Sequence, residues 1–314
     1  NGLKMSWVRQ RWDVHDGALV LLGIKLRDSC EILNQPLKNI CGPDDTYHIV
    51  AIKRGEQTII PGGNDTLKTY DLAYFMTTKD YIPYIRKIVG KENYEDVKNV
   101  MFMGGGETAV KALNTLPEYM NAKVIENNKE RCKKLNELVD DKIMIIHGDG
   151  RDVSLLQEEG IANTQAFVAL TPNTETNILA CLTAKKMGVR KTVAMVENID
   201  YISMAESLDI GTIINKKVIA ACHIYQMMLD ADVMDVQFLM NANTDVVEFI
   251  PKEGSKVTKK PVKNLGLPYG ATIGGLIRDQ EGMLVSGNTQ IKAGDSVIVF
   301  CFNINLKKIE KFFI

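Results

Sequence analysis

The chain has no CxxC pair, no histidines at metal-ligand spacing and no apolar run long enough to cross a bilayer. Its six cysteines (Cys30, Cys41, Cys132, Cys181, Cys222 and Cys301) stand singly, which argues against a zinc site or a disulfide framework and fits a reducing cytosol. The four histidines (His15, His48, His147 and His223) are equally scattered, so chemistry built on histidine or metal is not expected. The longest apolar runs, Ala18 to Ile24 and Val297 to Phe302, fall well short of the about 20 residues that a spanning helix needs. Direct membrane insertion is therefore not expected, and any membrane association must go through a partner or a surface. Charge of one sign is missing too: 38 Lys+Arg against 39 Asp+Glu leave a net charge of −1. A nucleic-acid binder usually carries a basic excess that replaces phosphate counterions, so nucleic acid is not an expected partner. The sequence opens Asn1-Gly2, with no initiator Met and no secretory signal.

What is present is 314 residues with 45% hydrophobic and 25% charged content, enough for two or three cored domains. An internal repeat is legible first. Gln35-Pro36-Leu37-Lys38-Asn39 recurs as Lys260-Pro261-Val262-Lys263-Asn264, an offset of 225. At the same offset Ala51 to Arg54 meets Leu276 to Asp279, whereas Asp71 to Phe75 meets Asp295 to Val299 at 224, which predicts a one-residue slip in the intervening turn. Each copy reads as short strands divided by turn signals, Pro61 to Asp65 in the first and Ser286 to Asn288 in the second. Each then ends in an apolar strand and a short basic helix, Tyr81 to Val89 and Leu306 to Phe313.

Between the copies the pattern changes. Apolar runs at Val100–Met103, Ala122–Ile125, Ile143–Ile146, Ala166–Leu170, Thr192–Val196 and Gly211–Ile214 alternate with helix-period segments. Such alternation predicts a parallel sheet with crossover helices, the size of one doubly wound domain. Lys216 to Asp232 reads as a helix leading to the second copy. The expected class is α/β: one Rossmann-like doubly wound parallel sheet flanked by two small β-rich α+β modules. The expected boundaries are 1–90, 97–218, a connecting helix over 219–232, and 233–314.

The chemistry lies after the first parallel strand. Asn99 to Met103 runs into Gly104-Gly105-Gly106-Glu107-Thr108-Ala109 and then a helix, the pattern G-x-G-x-x-A. Gly104 allows a tight turn, Gly106 lets a pyrophosphate approach the backbone, and Ala109 lets helix and strand pack closely. Glu126, with Asn127 behind it, ends the next strand 20 residues past Gly106. A carboxylate there accepts hydrogen bonds from ribose hydroxyls and repels a 2′-phosphate, which favours NAD-like or adenosine ligands. The third strand ends in His147-Gly148-Asp149-Gly150 and the fourth in Leu170-Thr171. Strand ends line the crevice of open α/β sheets, so Asp149 reads as an adenine-side group or a turn aspartate, and Thr171 as a sugar or phosphate contact or a helix cap. Nothing marks a proton donor or acceptor of the kind a dehydrogenase needs beside its nicotinamide.

The order HGDG, EEGI (Glu158 to Ile161), ALTxxxETNI (Ala169 to Ile178) and AKKMG (Ala184 to Gly188) resembles the RCK family, regulators of potassium conductance also called KTN. Residues 97–215 resemble its Rossmann-type N-lobe and the two repeat copies its small C-domain. Tandem members of the family alternate N-lobe and C-domain twice, so the order found here implies that a first N-lobe is missing. The resemblance implies a non-enzymatic cytoplasmic subunit at the inner face of the membrane. It would bind NAD or NADH, with ADP or ATP as further ligands, assemble as at least a homodimer, and gate a TrkH-like potassium-uptake subunit. It implies phosphate-turn roles for Gly104, Gly105, Gly106, Thr108 and Ala109, ribose roles for Glu126 and Asn127, an adenine-side role for Asp149 and Gly150, and a contact from Leu170 and Thr171.

Two departures from the family pattern bear on the ligand. An arginine common after the second loop glycine is here Glu107, and a basic residue common after the fifth strand is here Glu197. Carboxylates beside a polyphosphate cost binding energy unless a metal or lysine intervenes, so NAD or AMP-like ligands are expected over ATP. Other readings are an RCK regulator of a different cation channel or antiporter, and an NAD-dependent oxidoreductase.

Overall fold

The apolar runs set the strands, and the turn residues between them set where the strands stop. The computed structural model describes residues 3–41, 46–228, 233–239, 244–302 and 306–314. The first repeat copy holds β1 (Gln10–Val14), β2 (Leu19–Lys25), α1 (Leu37–Ile40), β3 (Tyr47–Arg54), β4 (Gln57–Ile59), β5 (Leu72–Thr77) and α2 (Ile82–Ile88). Its antiparallel sheet runs β1-β2-β5-β3-β4. The run Ala18 to Ile24 supplies β2, whose residues Leu19 to Ile24 are buried throughout.

The parallel domain follows, with β6 (Asn99–Met103), α3 (Glu107–Leu113), β7 (Asn121–Glu126), α4 (Lys129–Leu138), β8 (Met144–His147) and α5 (Val153–Glu158). It continues with β9 (Ala166–Ala169), α6 (Thr174–Lys186), β10 (Lys191–Met195), α7 (Asp200–Ser207), β11 (Thr212–Ile214) and α8 (Lys216–Met227). All six strands are parallel, in the order β11-β10-β9-β6-β7-β8. The order reverses between β6 and β9, which makes the carboxyl ends of those strands the natural place for a ligand crevice. Helix starts are fixed by short polar caps: Asn128 accepts the Arg131 N–H at 2.9 Å, Asp152 that of Ser154 at 2.9 Å, and Asn173 that of Thr176 at 2.6 Å. Residues 229–232, the last part of the connecting helix expected over 219–232, lie outside the described residues.

The second copy holds β12 (Val233–Leu239), β13 (Thr244–Phe249), β14 (Ala271–Arg278), β15 (Glu281–Leu284), β16 (Ser296–Phe302) and α9 (Leu306–Glu310). Its sheet, β12-β13-β16-β14-β15, repeats the order of the first. The expected pairing of Arg54 with Asp279 is corrected by the fold. Arg54 grips Asp71 as Arg278 grips Asp295, and the same bulge falls between Ile49 and Ala51 and between Ile273 and Gly275. The offset is therefore already 224 on the third strand, and the slip lies before it.

Two compact units result, Asn1–Arg9 with Tyr94–Lys216, and Gln10–Asn93 with Lys217–Ile314. Both copies thus share the second unit. The opening strap belongs to the parallel domain: Lys191 donates to the Val8 carbonyl, Thr212 Oγ1 to the Arg9 carbonyl at 2.7 Å, and Arg9 pairs with Asp209 at 2.6 Å. Within the second unit a common apolar core joins Leu21, Tyr74 and Met76 of one copy to Val246, Ile298 and Phe300 of the other. That core buries the second face of each sheet, which is why their central strands are apolar on both sides.

Candidate functional site

The site forms where β6, β7, β8 and β9 end. Gly104 turns the chain out of β6 at φ +95°, and a side chain there would also lie 3.1 Å from Thr171. Gly106, by contrast, has nothing of the protein within 4 Å of where a Cβ would sit, so its backbone is open to a ligand. The first helical bond of α3 runs from the Val110 N–H to the Gly106 carbonyl, which leaves the N–H groups of the first turn without helical acceptors.

A cleft of about 290 Å³ opens above these residues. Gly104, Gly106, Glu126, Asn127, Asp149, Gly150, Leu170 and Thr171 all line it, so the expected site residues from four strand ends meet in one place. A second, wider cleft of about 750 Å³ adjoins it and is lined by Gly105, Gly106 and Thr108 on one side. Gly106, Arg131, Leu170 and Pro172 border both clefts. Ala109 borders neither; it is fully buried and packs α3 onto the sheet.

Glu126 is buried at 3% exposure, and both of its oxygens are engaged. One accepts the Gly105 N–H at 2.8 Å, the other the Asn128 N–H at 2.8 Å. A carboxylate offers about four acceptor positions, so two remain for hydroxyl donors. The same residue therefore holds the glycine turn in shape and presents acceptor capacity to the cleft. Asp149 is held by Arg151 through a two-pronged contact, 2.7 Å at its shortest, and that hydrogen bonding holds its carboxyl below the usual aspartate range. Thr171 is fixed by the fully buried Asn177, whose Oδ1 accepts the threonine hydroxyl at 2.6 Å while its Nδ2 donates to the carbonyls of Thr171 and Met195 at 2.8 Å. His147 lies 3.1 Å from the Asn127 carbonyl.

Both acids of the electrostatic argument, Glu107 and Glu197, line the wider cleft. Glu107 does not line the narrower cleft; its carboxylate pairs with Lys111 at 2.9 Å, and that hydrogen bond lowers its pKa. Glu197 lines the wider cleft 3.4 Å from Lys216. Sequence reasoning missed three functional candidates: Arg131, which stands 3.6 Å from Glu126 at the border of both clefts, Arg151 and Asn177. Asn177 had a signal, since it is the asparagine of the ETN motif. The arginines had none, because a lone arginine on a helix or turn reads as ordinary surface.

Parallel sheet, switch-point cleft and glycine turn define a Rossmann-type lobe, in a chain that also holds a pair of antiparallel modules. The TrkA-N domain family model matches residues 100–216, and the TrkA-C domain model matches residues 246–314. The Trk system potassium uptake protein TrkA of Azorhizobium caulinodans is 29% identical over 304 residues, covering 95% of this chain and 66% of that protein. Its namesake in Halomonas elongata is 26% identical over 275 residues, covering 86% and 60%. The chain thus spans about two thirds or less of the length of the curated relatives it matches. Among solved structures, the GsuK RCK domain superposes over 99% of this chain and 67% of that one, with a TM-score of 0.50 at 12% identity. The GsuK channel bound to NAD gives 0.50 at 12% identity over 99% and 56%. The chain therefore carries a TrkA-N domain followed by a TrkA-C domain.

Proposed function

We propose that the chain is the nucleotide-sensing part of a cytoplasmic regulatory subunit for a membrane potassium transporter of the TrkH-like kind. The observation that carries this is the cleft itself: an open glycine turn, the buried Glu126 and the ends of four parallel strands face one space. Two adjoining clefts that share Gly106 suit the two halves of a dinucleotide, NAD or NADH, bridged by phosphates at the turn. The names of the relatives support potassium uptake as the process served, and the NAD held by a protein of the same fold supports the ligand class.

The relatives are named as potassium uptake proteins, which favours binding without turnover. Ligand binding then acts by differential affinity for two arrangements of the assembly. The chain works in at least a homodimer, because Ile219, Ile224, Met227 and Met228, on and just after α8, expose more than half of their surface. No helix among the described residues is long and apolar enough to cross a membrane.

Calorimetric titration with NADH, NAD, ADP and ATP, with and without Mg²⁺, tests the reading. Micromolar binding is expected, and Glu126→Gln should weaken it about 10–100-fold, the worth of a hydrogen bond to a charged group. Absence of binding for all four ligands at millimolar concentration would sink the proposal. Light scattering on the same samples should report a dimer; a monomer would remove the assembly.

A further inference from the structure

One residue lining the wider cleft stands at the point where the chain leaves the parallel domain. Lys216 is the first residue of α8, the helix by which the chain leaves the parallel domain for the second unit. Its ammonium lines the cleft 3.4 Å from Glu197 Oε1, at the end of β10. That carboxylate oxygen is buried and receives no hydrogen bond, so the ion pair is a loose one.

The backbone on either side is fixed. The Glu197 N–H donates to Thr174 Oγ1 at 3.1 Å. Asn215, fully buried just before the lysine, donates from Nδ2 to the Val196 carbonyl at 2.7 Å. The backbone that carries the acid is held in place while the lysine side chain is half exposed. Arg131 and Lys134 add positive charge to the same cleft, and Glu107 at its rim is already offset by Lys111. A phosphate chain leaving the Gly106 turn toward this side meets three cations and two acids, each beside a lysine.

We propose that Lys216 is a charge sensor for the bound nucleotide, exchanging Glu197 for the ligand's outer phosphates so that occupancy of the wider cleft is registered at the first turn of α8. The inference rests on the nucleotide reading above and deepens it. It commits the ligand to a nucleotide with two or more phosphates. A phosphate is the stronger partner for the ammonium, since it offers several charged acceptors where Glu197 offers one strained for distance. Glu197 acts as the competitor that sets how much phosphate charge is needed.

The test is calorimetry on the intact chain with AMP, ADP and ATP in EDTA, using Lys216→Met and Glu197→Gln. Lys216→Met should weaken ADP and ATP about 10-fold while leaving AMP within about twofold, the size of one lost charge-assisted contact. Glu197→Gln should shift ADP and ATP the other way, toward tighter binding. Hydrogen exchange across α8 supplies a readout that a structural role alone would not move: ATP should slow it in the unmodified chain and not in Lys216→Met. The sensor is overturned if Lys216→Met weakens AMP as much as ATP, or if Glu197→Gln weakens the diphosphate and triphosphate. It is likewise overturned if ATP protects α8 equally in both proteins. If no nucleotide binds the unmodified chain, the nucleotide reading itself falls and the sensor with it; binding that ignores both substitutions removes the sensor alone.

Discussion

The two repeat copies share every strand and one buried clamp, yet the faces they turn to each other differ. In each copy an aspartate at the foot of the fifth strand takes an arginine from the third. Asp71 meets Arg54 at 2.7 Å and Asp295 meets Arg278 at 2.7 Å. Each acid also accepts a backbone N–H three residues upstream, from Lys68 and from Lys292, both at 2.8 Å. At the shared core the correspondence ends. Gly23 sits opposite Tyr74 in the first copy, where Glu248 sits opposite Ile298 in the second. A side chain at Gly23 would come within 3.0 Å of the Tyr74 ring, so ring and glycine together fill the space. Glu248 instead takes the Ser296 hydroxyl and lies 2.7 Å from His15 of the first copy. Likewise, a side chain at Gly274 would meet Val50, its counterpart at the bulge, at 2.9 Å. The lesson is that the internal skeleton of a repeat is kept by what each copy must satisfy alone, while the seam is kept by fit between unlike partners.

The largest effect should come from breaking the clamp. Asp71→Asn and Asp295→Asn should each cost about 3 kcal/mol, because the acids are 1% and 3% exposed and their arginines lose a buried partner. Urea denaturation should show near-equal losses. A cost confined to one copy would mean that the two clamps are alike in geometry only.

Next in size is a group the first copy lacks. Asp245 takes the place of Val20, is buried, and one of its oxygens has no partner; burial pushes its pKa up to about 6. Its folded pKa lies above the unfolded value, so the native state holds the proton longer. Stability from this group is therefore present below about pH 4 and lost as pH rises through about 6. Asp245→Asn should accordingly stabilise the chain at neutral pH by up to about 3 kcal/mol, with the difference vanishing at acid pH. Thermal melts from pH 4 to pH 8 would show it, and a pH-independent difference would refute the burial argument.

The smallest effect should fall on the seam. Glu248→Gln keeps shape and one acceptor, so a loss of about 1 kcal/mol is expected from the weaker bond to His15. His15→Ala in the same background should then add less than it does alone, because the two residues share the contact. Full additivity in that double-mutant cycle would show that the seam does not depend on this pair.

The parallel domain was legible because its signals are local. Each of the six strands is a short apolar run, and the glycine turn follows one of them directly. Asp149, Thr171 and Glu126 could be placed at one cleft because strand ends converge in such a sheet whatever the side chains are. Arg131 and Arg151 were harder, since they reach the cleft from a helix and a turn, where period and composition carry no address; Asn177 stays buried and acts only by holding Thr171. Glu107 and Glu197 both line the wider cleft, and which lysine each one faces, Lys111 or Lys216, was decided by the fold. Likewise the repeat was visible, but its register between Asn39 and Ala51 was settled only by which arginine closes on which aspartate.

The sequence by itself determined the parts: a doubly wound sheet, a phosphate-type turn with an acid 20 residues on, and two copies of one antiparallel module. Those follow from apolar period, glycine placement and spacing, which act over a few residues. Only the tertiary structure decided which charges face each other. Glu126 became both a brace for Gly105 and a wall of the cleft, Lys216 came to stand beside Glu197, and the two modules closed on one another through a single unlike seam. Such pairings depend on distances between segments far apart in the chain, and burial makes each of them matter, because a charge withdrawn from water must find its partner in the fold.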